Sequence, residues 1–129
     1  MDKKYSTYFV DIDGTLLKYR KFDKLAIEQA EPIEEIVSFI NRRYDGGDHV
    51  VIVTARPKQF RQFTIDELVR CGIKFHQLVM GVERGTRYII NDRDPEFPEE
   101  NRAVGVNIYR NNEKISSDGS SKETPSKDN

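Results

Sequence analysis

The apolar residues of this chain are grouped into short β-branched runs with amphipathic stretches between them. Residues 6–12 form one run rich in β-forming side chains, and residues 48–54 form another that is continuous enough for a strand buried on both faces. Residues 32–45 lie between these runs and repeat apolar side chains at helical spacing, at Ile33, Ile36, Val37 and Ile40. This order predicts a right-handed βαβ unit with parallel strands.

The same alternation continues towards the C-terminus. A second helix is predicted over residues 58–71 and a third strand over residues 73–80. Residues 88–92 and 104–109 are two further short apolar runs, which we interpret as a fourth and a fifth strand. The predicted fold is therefore α/β, a three-layer Rossmann-like arrangement around a mostly parallel five-stranded sheet.

Proline and glycine mark the predicted helix boundaries. Pro32 is expected at the first position of the first helix, where its missing N–H group has no cost. Gly46 and Gly47 are expected to end that helix, and Gly72 to end the second, because glycine accepts the left-handed backbone of a helix terminus.

Length and composition favour a single domain. A chain of 129 residues can bury one hydrophobic core without disulfides, and we place the domain at residues 1–110. From residue 111 the composition shifts to Ser, Lys, Glu, Asp and Asn, so residues 111–129 are predicted to be a disordered polar tail.

Charge and cysteine content narrow the possible surroundings of the protein. The 21 basic and 22 acidic residues give a net charge of −1, so no global field recruits nucleic acid or an anionic membrane. The single cysteine, Cys71, lies in an apolar pattern typical of a packed side chain in a reducing compartment. No apolar run of membrane-spanning length and no signal-peptide core occurs, and we expect a cytoplasmic protein with no membrane partner.

Two carboxylates stand where the first predicted strand opens into a loop. Asp11 and Asp13 are one residue apart, and Gly14 allows the chain to turn immediately afterwards. Two close carboxylates repel unless a cation or a shared proton offsets their charge. The pair therefore indicates a divalent metal site, for which Mg²⁺ fits oxygen ligands best, or an acid/base pair. A polar strand end with an Asx-type turn at Asp13 is the alternative.

The segment Asp11-x-Asp13-Gly14-Thr15-Leu16 resembles the first motif of the haloacid dehalogenase superfamily. In the phosphatases of that superfamily the first aspartate is the nucleophile and the second is the general acid/base. The resemblance implies these two catalytic roles for Asp11 and Asp13, and phosphoryl transfer through a covalent aspartyl phosphate.

A second resemblance lies at the end of the second predicted strand. Thr54-Ala55-Arg56-Pro57 is similar to the second motif of the superfamily, in which a Ser or Thr hydroxyl binds the phosphoryl group. It implies phosphate binding by Thr54 and Ala55, together with Gly14 of the first motif. A helix-capping role for the Thr54 hydroxyl is compatible with it, since Pro57 predicts a helix start just beyond.

The acidic pair of the fourth motif, which holds magnesium in the superfamily, is replaced by Asn91-Asp92. The resemblance implies Mg²⁺ as the cofactor, with Asp11, the backbone carbonyl of Asp13 and Asp92 as ligands. Asn91 would supply an oxygen ligand or only a hydrogen bond. Asp94 is either an outer ligand or a turn residue before Pro95.

The lysine of the third motif is missing, because no lysine lies between Lys74 and Asp92. Arginine can replace it chemically, since its fork of donors binds carboxylate and phosphate together. We select Arg84, whose loop is flanked by glycines, and Arg87 is the competing candidate.

The resemblance implies a Mg²⁺-dependent phosphomonoester hydrolase. Residues 16–31 are too few for a helical cap domain, and the motifs look similar to those of small capless members found among bacterial and phage sugar-phosphate and capsule-biosynthesis proteins. A sugar phosphate is therefore the expected substrate, in an open site that a homo-oligomeric partner could cover. Two alternatives stay open: a phosphatase of nucleotides or nucleic-acid phosphate ends, and a catalytically weak binding or regulatory protein on the same fold.

Overall fold

Three parallel strands and their connecting helices form the centre of the computed structural model, which describes residues 4–112. The elements in chain order are β1 (Thr7–Val10), α1 (Glu34–Asp45), β2 (His49–Thr54), α2 (Arg61–Arg70) and β3 (Gln77–Met80). Short 3₁₀ turns cover Phe22–Lys24 and Lys58–Phe60. The α/β class predicted from the sequence is confirmed.

The sheet has the order β1-β2-β3, and both neighbouring pairs are parallel. Val10 pairs with Ile52, so Asp11 and Ile12 run alongside the last residues of β2. Thr54 pairs with Met80, so β2 and β3 end at the same level. The carboxyl ends of all three strands therefore lie at one edge, as the predicted βαβ unit requires.

Helix α1 forms where the apolar stripe predicts it. Ile36, Val37 and Ile40 are buried, and Gly46 and Gly47 end the helix, with Gly47 at a φ of 103°. The prediction for Pro32 was wrong by two residues: the helix begins at Glu34, because Pro32 is held in an antiparallel bridge with Leu17 of the preceding loop.

One apolar cluster joins both helices to the same face of the sheet. Alternate strand residues contribute Val10, Val50, Ile52, Leu78 and Met80. Helix α2 contributes Leu68, which is fully buried. Phe9 and Val79 point the other way and are 56% and 44% exposed, as the two-residue period of a strand requires. The core therefore lies between one face of the sheet and the two helices.

Helix α2 and strand β3 are both shorter than predicted. The first residues expected in the helix, Lys58–Phe60, form a 3₁₀ turn instead. Ile73 donates its N–H to the carbonyl of Leu68 at 3.0 Å, so this residue completes the end of the helix and the strand begins only at Gln77.

The five-strand prediction was wrong for the described residues, whose sheet has three strands. Residues 88–92 and 104–109 are irregular, and Ile90 is 95% exposed. Local polar contacts hold this part of the chain instead of a strand ladder: Arg93 donates to the Pro98 carbonyl, and Arg102 to Asp92. An apolar run indicates what a strand could bury, but a strand needs a partner edge to form.

Two further predictions concern membrane-spanning helices and the polar tail. Among residues 4–112 no helix is long and apolar enough to cross a membrane. Of the predicted polar tail, residues 113–129 lie outside the described residues. Asn111 is bonded to the domain: its N–H donates to the Gly14 carbonyl at 2.9 Å.

Candidate active site

Asp11 is half-buried at the carboxyl end of β1. Its side chain is 39% exposed, and the nearest guanidinium is that of Arg87, with Nη2 3.9 Å from Oδ1. Burial raises the pKa of Asp11 above its ordinary value, while Arg87 and the backbone N–H of Ile12 act in the opposite direction. The negative charge of the Asp11 carboxylate is thus incompletely compensated in the free protein, and a bound cation could complete the compensation.

Asp13 is held by a bidentate ion pair with Arg56. Arg56 Nη2 donates to Oδ1 at 2.8 Å, and Nε donates to Oδ2 at 3.0 Å. The side chain of Asp13 is 22% exposed, whereas that of Arg56 is 3% exposed. Two parallel N–H···O bonds fix both the position and the plane of a carboxylate. Asp13 therefore does not act only as a turn residue, because the buried Arg56 guanidinium orients its partly exposed carboxylate.

The same guanidinium also reaches helix α2. Its Nη1 donates to Glu67 Oε1 at 3.0 Å and to Thr64 Oγ1 at 3.2 Å. Glu67 in turn receives two bonds from Arg20, at 2.9 and 3.0 Å. We call Asp13, Arg56, Glu67 and Arg20 the charged quartet. The negative charges of its two carboxylates balance the positive charges of its two guanidiniums.

The charged quartet explains how Arg56 is accommodated in the interior. Burial by itself lowers the pKa of Arg56, but the hydrogen bonds and charges of Asp13 and Glu67 outweigh it, so the pKa is raised. The guanidinium is therefore ionised, and its charge is neutralised by the carboxylates that it orients.

Thr54 lies beside Arg56 at the end of β2. It is 2% exposed, and its Oγ1 accepts the N–H of Arg56 at 3.1 Å. This bond organises the loop after β2, whereas the N-terminus of α2 has no side-chain cap. The helix-capping alternative is thus not what the structure shows. Since Oγ1 acts as the acceptor in this bond, the bond does not use the hydroxyl proton.

Gly14 forms a tight turn directly after Asp13. Its φ is 88°, its N–H donates to the Leu17 carbonyl at 2.7 Å, and its carbonyl accepts from Asn111. The N–H of Gly14, one of the residues predicted to bind phosphate, is therefore already engaged in this turn. Ala55, which was also predicted to bind phosphate, is half-buried between Thr54 and Arg56.

The C-terminal segment 108–112 packs over this turn, which the sequence reasoning missed. Asn111 accepts the N–H of Tyr19 on its side-chain oxygen at 2.8 Å, and the Arg110 guanidinium stacks on the Tyr19 ring at 3.8 Å. Ile108 packs against the hydrophobic core. The sequence signal for this turn was the residue type at position 111. Asparagine is one of the residues that tolerate a positive φ, and Asn111 has a φ of 62°.

The two candidates for the missing lysine, Arg84 and Arg87, are both exposed. Within the described residues, Arg87 is the one whose guanidinium lies near Asp11, with Nη2 3.9 Å from Oδ1. The geometry therefore favours Arg87 over Arg84 as the cation beside Asp11.

The third predicted magnesium ligand has a different partner. Asp92 is 72% exposed and accepts from Arg102 at 2.9 Å. Asp94 accepts the N–H of Glu96 at 2.9 Å, which is the behaviour of a turn residue, and Asn91 is exposed. Within residues 4–112, no three side chains among His, Cys, Asp and Glu are grouped so that they could hold a metal ion.

The described donors fit magnesium only in part. Mg²⁺ is commonly held by one or two carboxylates and completes its shell with waters and substrate phosphate. Asp11 and the backbone of Asp13 could provide such a partial set, but Asp11, Asp13 and Asp92 do not converge as three ligands. Magnesium binding therefore stays a prediction.

Glu67, which accepts from both arginines of the charged quartet, was not singled out from the sequence. Glu67 had a detectable signal, because it shares the buried face of α2 with Thr64 and Leu68 at helical spacing. A glutamate on such a face needs a cationic partner. The sequence does not say which arginine that is.

No family model matches the chain, and no curated protein matches it. Among solved structures, the chain is similar to the crystal structure of a target protein from Vibrio cholerae. The two share 20% sequence identity with a TM-score of 0.48, over 74% of this chain and 89% of that one.

Proposed function

We propose that this protein is a phosphomonoester hydrolase of the haloacid dehalogenase type, with Asp11 as its nucleophile. The observation that carries the proposal is the placement of Asp11. It is a half-buried carboxylate at the carboxyl edge of a parallel sheet, with Arg87 3.9 Å away and the fixed carboxylate of Asp13 two residues on. Open α/β sheets bind their ligands at this edge.

The proposed reaction has two steps. Asp13 enters the first step protonated. An oxygen of Asp11 attacks phosphorus, the bond to the leaving alcohol oxygen breaks, and Asp13 gives that oxygen its proton, which leaves Asp13 as the carboxylate that Arg56 binds. Asp13 then takes a proton from water, which attacks the phosphorus of the aspartyl phosphate. Inorganic phosphate leaves and Asp11 is restored.

Phosphate recognition falls to groups beside Asp11. The Thr54 hydroxyl proton is not used in its bond with the Arg56 N–H and would donate to the phosphoryl group, and Arg87 carries positive charge that an incoming dianion requires. We retain Arg84, Ala55 and Gly14 as proposed phosphate contacts, although the N–H of Gly14 would first have to release Leu17.

A small substrate is better supported than a nucleic acid. Binding a phosphate backbone needs several exposed cations in one track. Arg20 and Arg56 are buried and paired with carboxylates, and Arg93 is bonded to Pro98 and Asn101. We therefore propose a sugar phosphate or a related small metabolite, and retain nucleotides and nucleic-acid phosphate ends as the alternative.

A binding or regulatory protein on the same fold is the second candidate. It is favoured by one observation: Asp92 pairs with Arg102 and does not join Asp11 and Asp13 in a three-carboxylate group. Such a protein would bind phosphorylated ligands without hydrolysing them.

The test is phosphate release from sugar phosphates, nucleotides and phosphorylated oligonucleotides, with Mg²⁺ and with a chelator. We expect Mg²⁺-dependent release that is abolished in Asp11→Asn while the fold is retained. Removal of a covalent nucleophile reduces turnover by several orders of magnitude, on the order of 10⁴ or more.

Asp45→Asn is the matched control, because it makes the same chemical change in an exposed carboxylate that pairs with Lys74. Equal rates for wild type and Asp11→Asn would contradict the role of Asp11. A folded protein that releases no phosphate from any compound but still binds it would favour the second candidate.

A further inference from the structure

The charged quartet links helix α2 to the proposed general acid. Arg56 uses one side of its guanidinium, Nε and Nη2, for the two oxygens of Asp13. It uses Nη1 for Glu67. A guanidinium is planar and rigid, so the direction of the bonds on one side determines the direction on the other.

Glu67 is itself held in a single orientation. Arg20 donates to both of its carboxylate oxygens, and Arg20 Nη1 is anchored by the carbonyl of Glu28 at 2.7 Å. The side chains of Glu67, Arg20 and Arg56 are 3%, 5% and 3% exposed. Asp13 is thus the one member of the quartet that reaches solvent, and it does so at the candidate active site.

We propose that Glu67 is a positioning residue, which through Arg56 fixes the direction of the Asp13 carboxylate for proton transfer. The inference rests on the proposed function, in which Asp13 transfers the proton. A buried ion network with stability as its only role is poorly explained, because well-packed apolar side chains are often at least as stabilising. A charged network that ends on the accessible Asp13 carboxylate has a further role, because it can orient that carboxylate in the site.

Leaving-group dependence tests the proposal. A sugar phosphate has a poor leaving group that needs a proton, whereas p-nitrophenyl phosphate has a good one that needs little help. Glu67→Gln should therefore lower kcat for a hexose phosphate about tenfold more than kcat for p-nitrophenyl phosphate, within the range of general-acid effects. KM should change little for either substrate, since Glu67 contacts neither.

Leu68→Ala is the matched control. Leu68 is the next residue of α2 and is fully buried in the apolar cluster. Its truncation should lower the melting temperature and leave the ratio of the two kcat values unchanged. A ratio that also changes in Leu68→Ala, or that does not change in Glu67→Gln, overturns the positioning role.

A second measurement needs no activity. The Nε–H group of Arg56 donates to Asp13, so its ¹⁵N-resolved NMR signal reports that bond directly. We expect this signal to shift or to exchange faster in Glu67→Gln; an unchanged signal overturns the coupling. If Glu67→Gln does not fold, Arg20→Gln removes one partner of Glu67 and should change the signal and the kcat ratio in the same direction. An unaltered Arg20→Gln overturns the proposal.

The two proposals fail in different ways. A wild-type protein that hydrolyses neither substrate overturns the proposed function, while the NMR signal still decides whether Glu67 controls Asp13. An active wild type whose Glu67→Gln variant loses both activities equally overturns the positioning role alone.

Discussion

Asp11 combines two properties that usually conflict. Its side chain is 39% exposed at the end of the strand, so a substrate could reach it. Its pKa is nevertheless raised, because Arg87 and the Ile12 N–H do not fully offset the effect of partial burial. Carboxylates in such surroundings reduce stability in the free protein and mark functional sites more often than structural ones.

This property predicts a pH-dependent stability difference between the wild type and Asp11→Asn. The unfolded chain ionises Asp11 near the ordinary value of 3.8, and the folded chain does so only at higher pH. Unfolding therefore becomes more favourable as the pH rises through this interval. Asp11→Asn should unfold at a higher temperature than wild type at pH 7, and the difference should shrink below pH 3.8.

Melting curves between pH 3 and pH 8 in the presence of a chelator measure this difference. Asp45→Asn, which changes an exposed carboxylate, supplies the comparison. An Asp11→Asn variant that is less stable than wild type at pH 7 would show that the Asp11 carboxylate stabilises the fold.

At the scale of elements, the loop after β1 is organised by a segment far away in the chain. Segment 108–112 bonds to Gly14 and Tyr19, so the turn that carries Asp13 is held from both sides. The last described residues thus meet the loop after β1 at the candidate site. Gly14 has a positive φ of 88°, which favours glycine, and a Cβ at this position would lie 3.2 Å from the Arg110 side chain, which would have to shift slightly.

A pair of substitutions at Asn111 separates its two contributions. Asn111→Gly keeps a residue that accepts the φ of 62° but loses the bond to the Tyr19 N–H. Asn111→Ala loses the same bond and adds backbone strain. We expect about 1 kcal/mol of destabilisation for the glycine variant, and about 1 kcal/mol more for the alanine variant.

Urea unfolding monitored by circular dichroism gives both values. The order of the two variants is the decisive result, because both lose the same side-chain bond. If Asn111→Ala were as stable as Asn111→Gly, the left-handed conformation at this residue would not be part of the folded state.

At the scale of the whole molecule, the charged quartet connects the loops at the edge of the sheet to helix α2. It joins the connection between β1 and α1, which carries Asp13 and Arg20, to the residues after β2 and to helix α2, through side chains that are almost entirely buried apart from Asp13. Breaking a buried pair leaves an uncompensated charge, whereas an exposed pair is solvated when it breaks.

Glu67→Gln should therefore lower the free energy of unfolding by roughly 3 kcal/mol or more. Asp45→Asn, which breaks the exposed pair with Lys74, should cost about 1 kcal/mol or less. Urea denaturation of both variants compares them under the same conditions. Similar losses would mean that water reaches the quartet and that its burial does not control its strength.

The sequence by itself determined the βαβαβ core and the edge of the sheet at which the candidate site lies. Continuous β-branched runs, the apolar stripe of α1 and the glycines at the helix ends are local signals. Each depends only on residues that are close to one another in the sequence. For the same reason Asp11, Asp13 and Thr54 could be placed at one edge: the carboxyl ends of parallel strands meet wherever right-handed crossovers connect them.

Only the tertiary structure decided which partners those residues have. The pairing of Arg56 with Asp13 and Glu67 spans 43 and 11 residues along the chain, and Asn111 reaches Tyr19 across 92. The exposed positions of Ile90 and Val104 show the same limit, because their apolar runs resemble strands but do not pair with the three-stranded sheet of the described residues. Local patterns determine which side chains a segment can bury. Which residues those side chains contact depends on how segments that are distant in the sequence pack together in the folded chain.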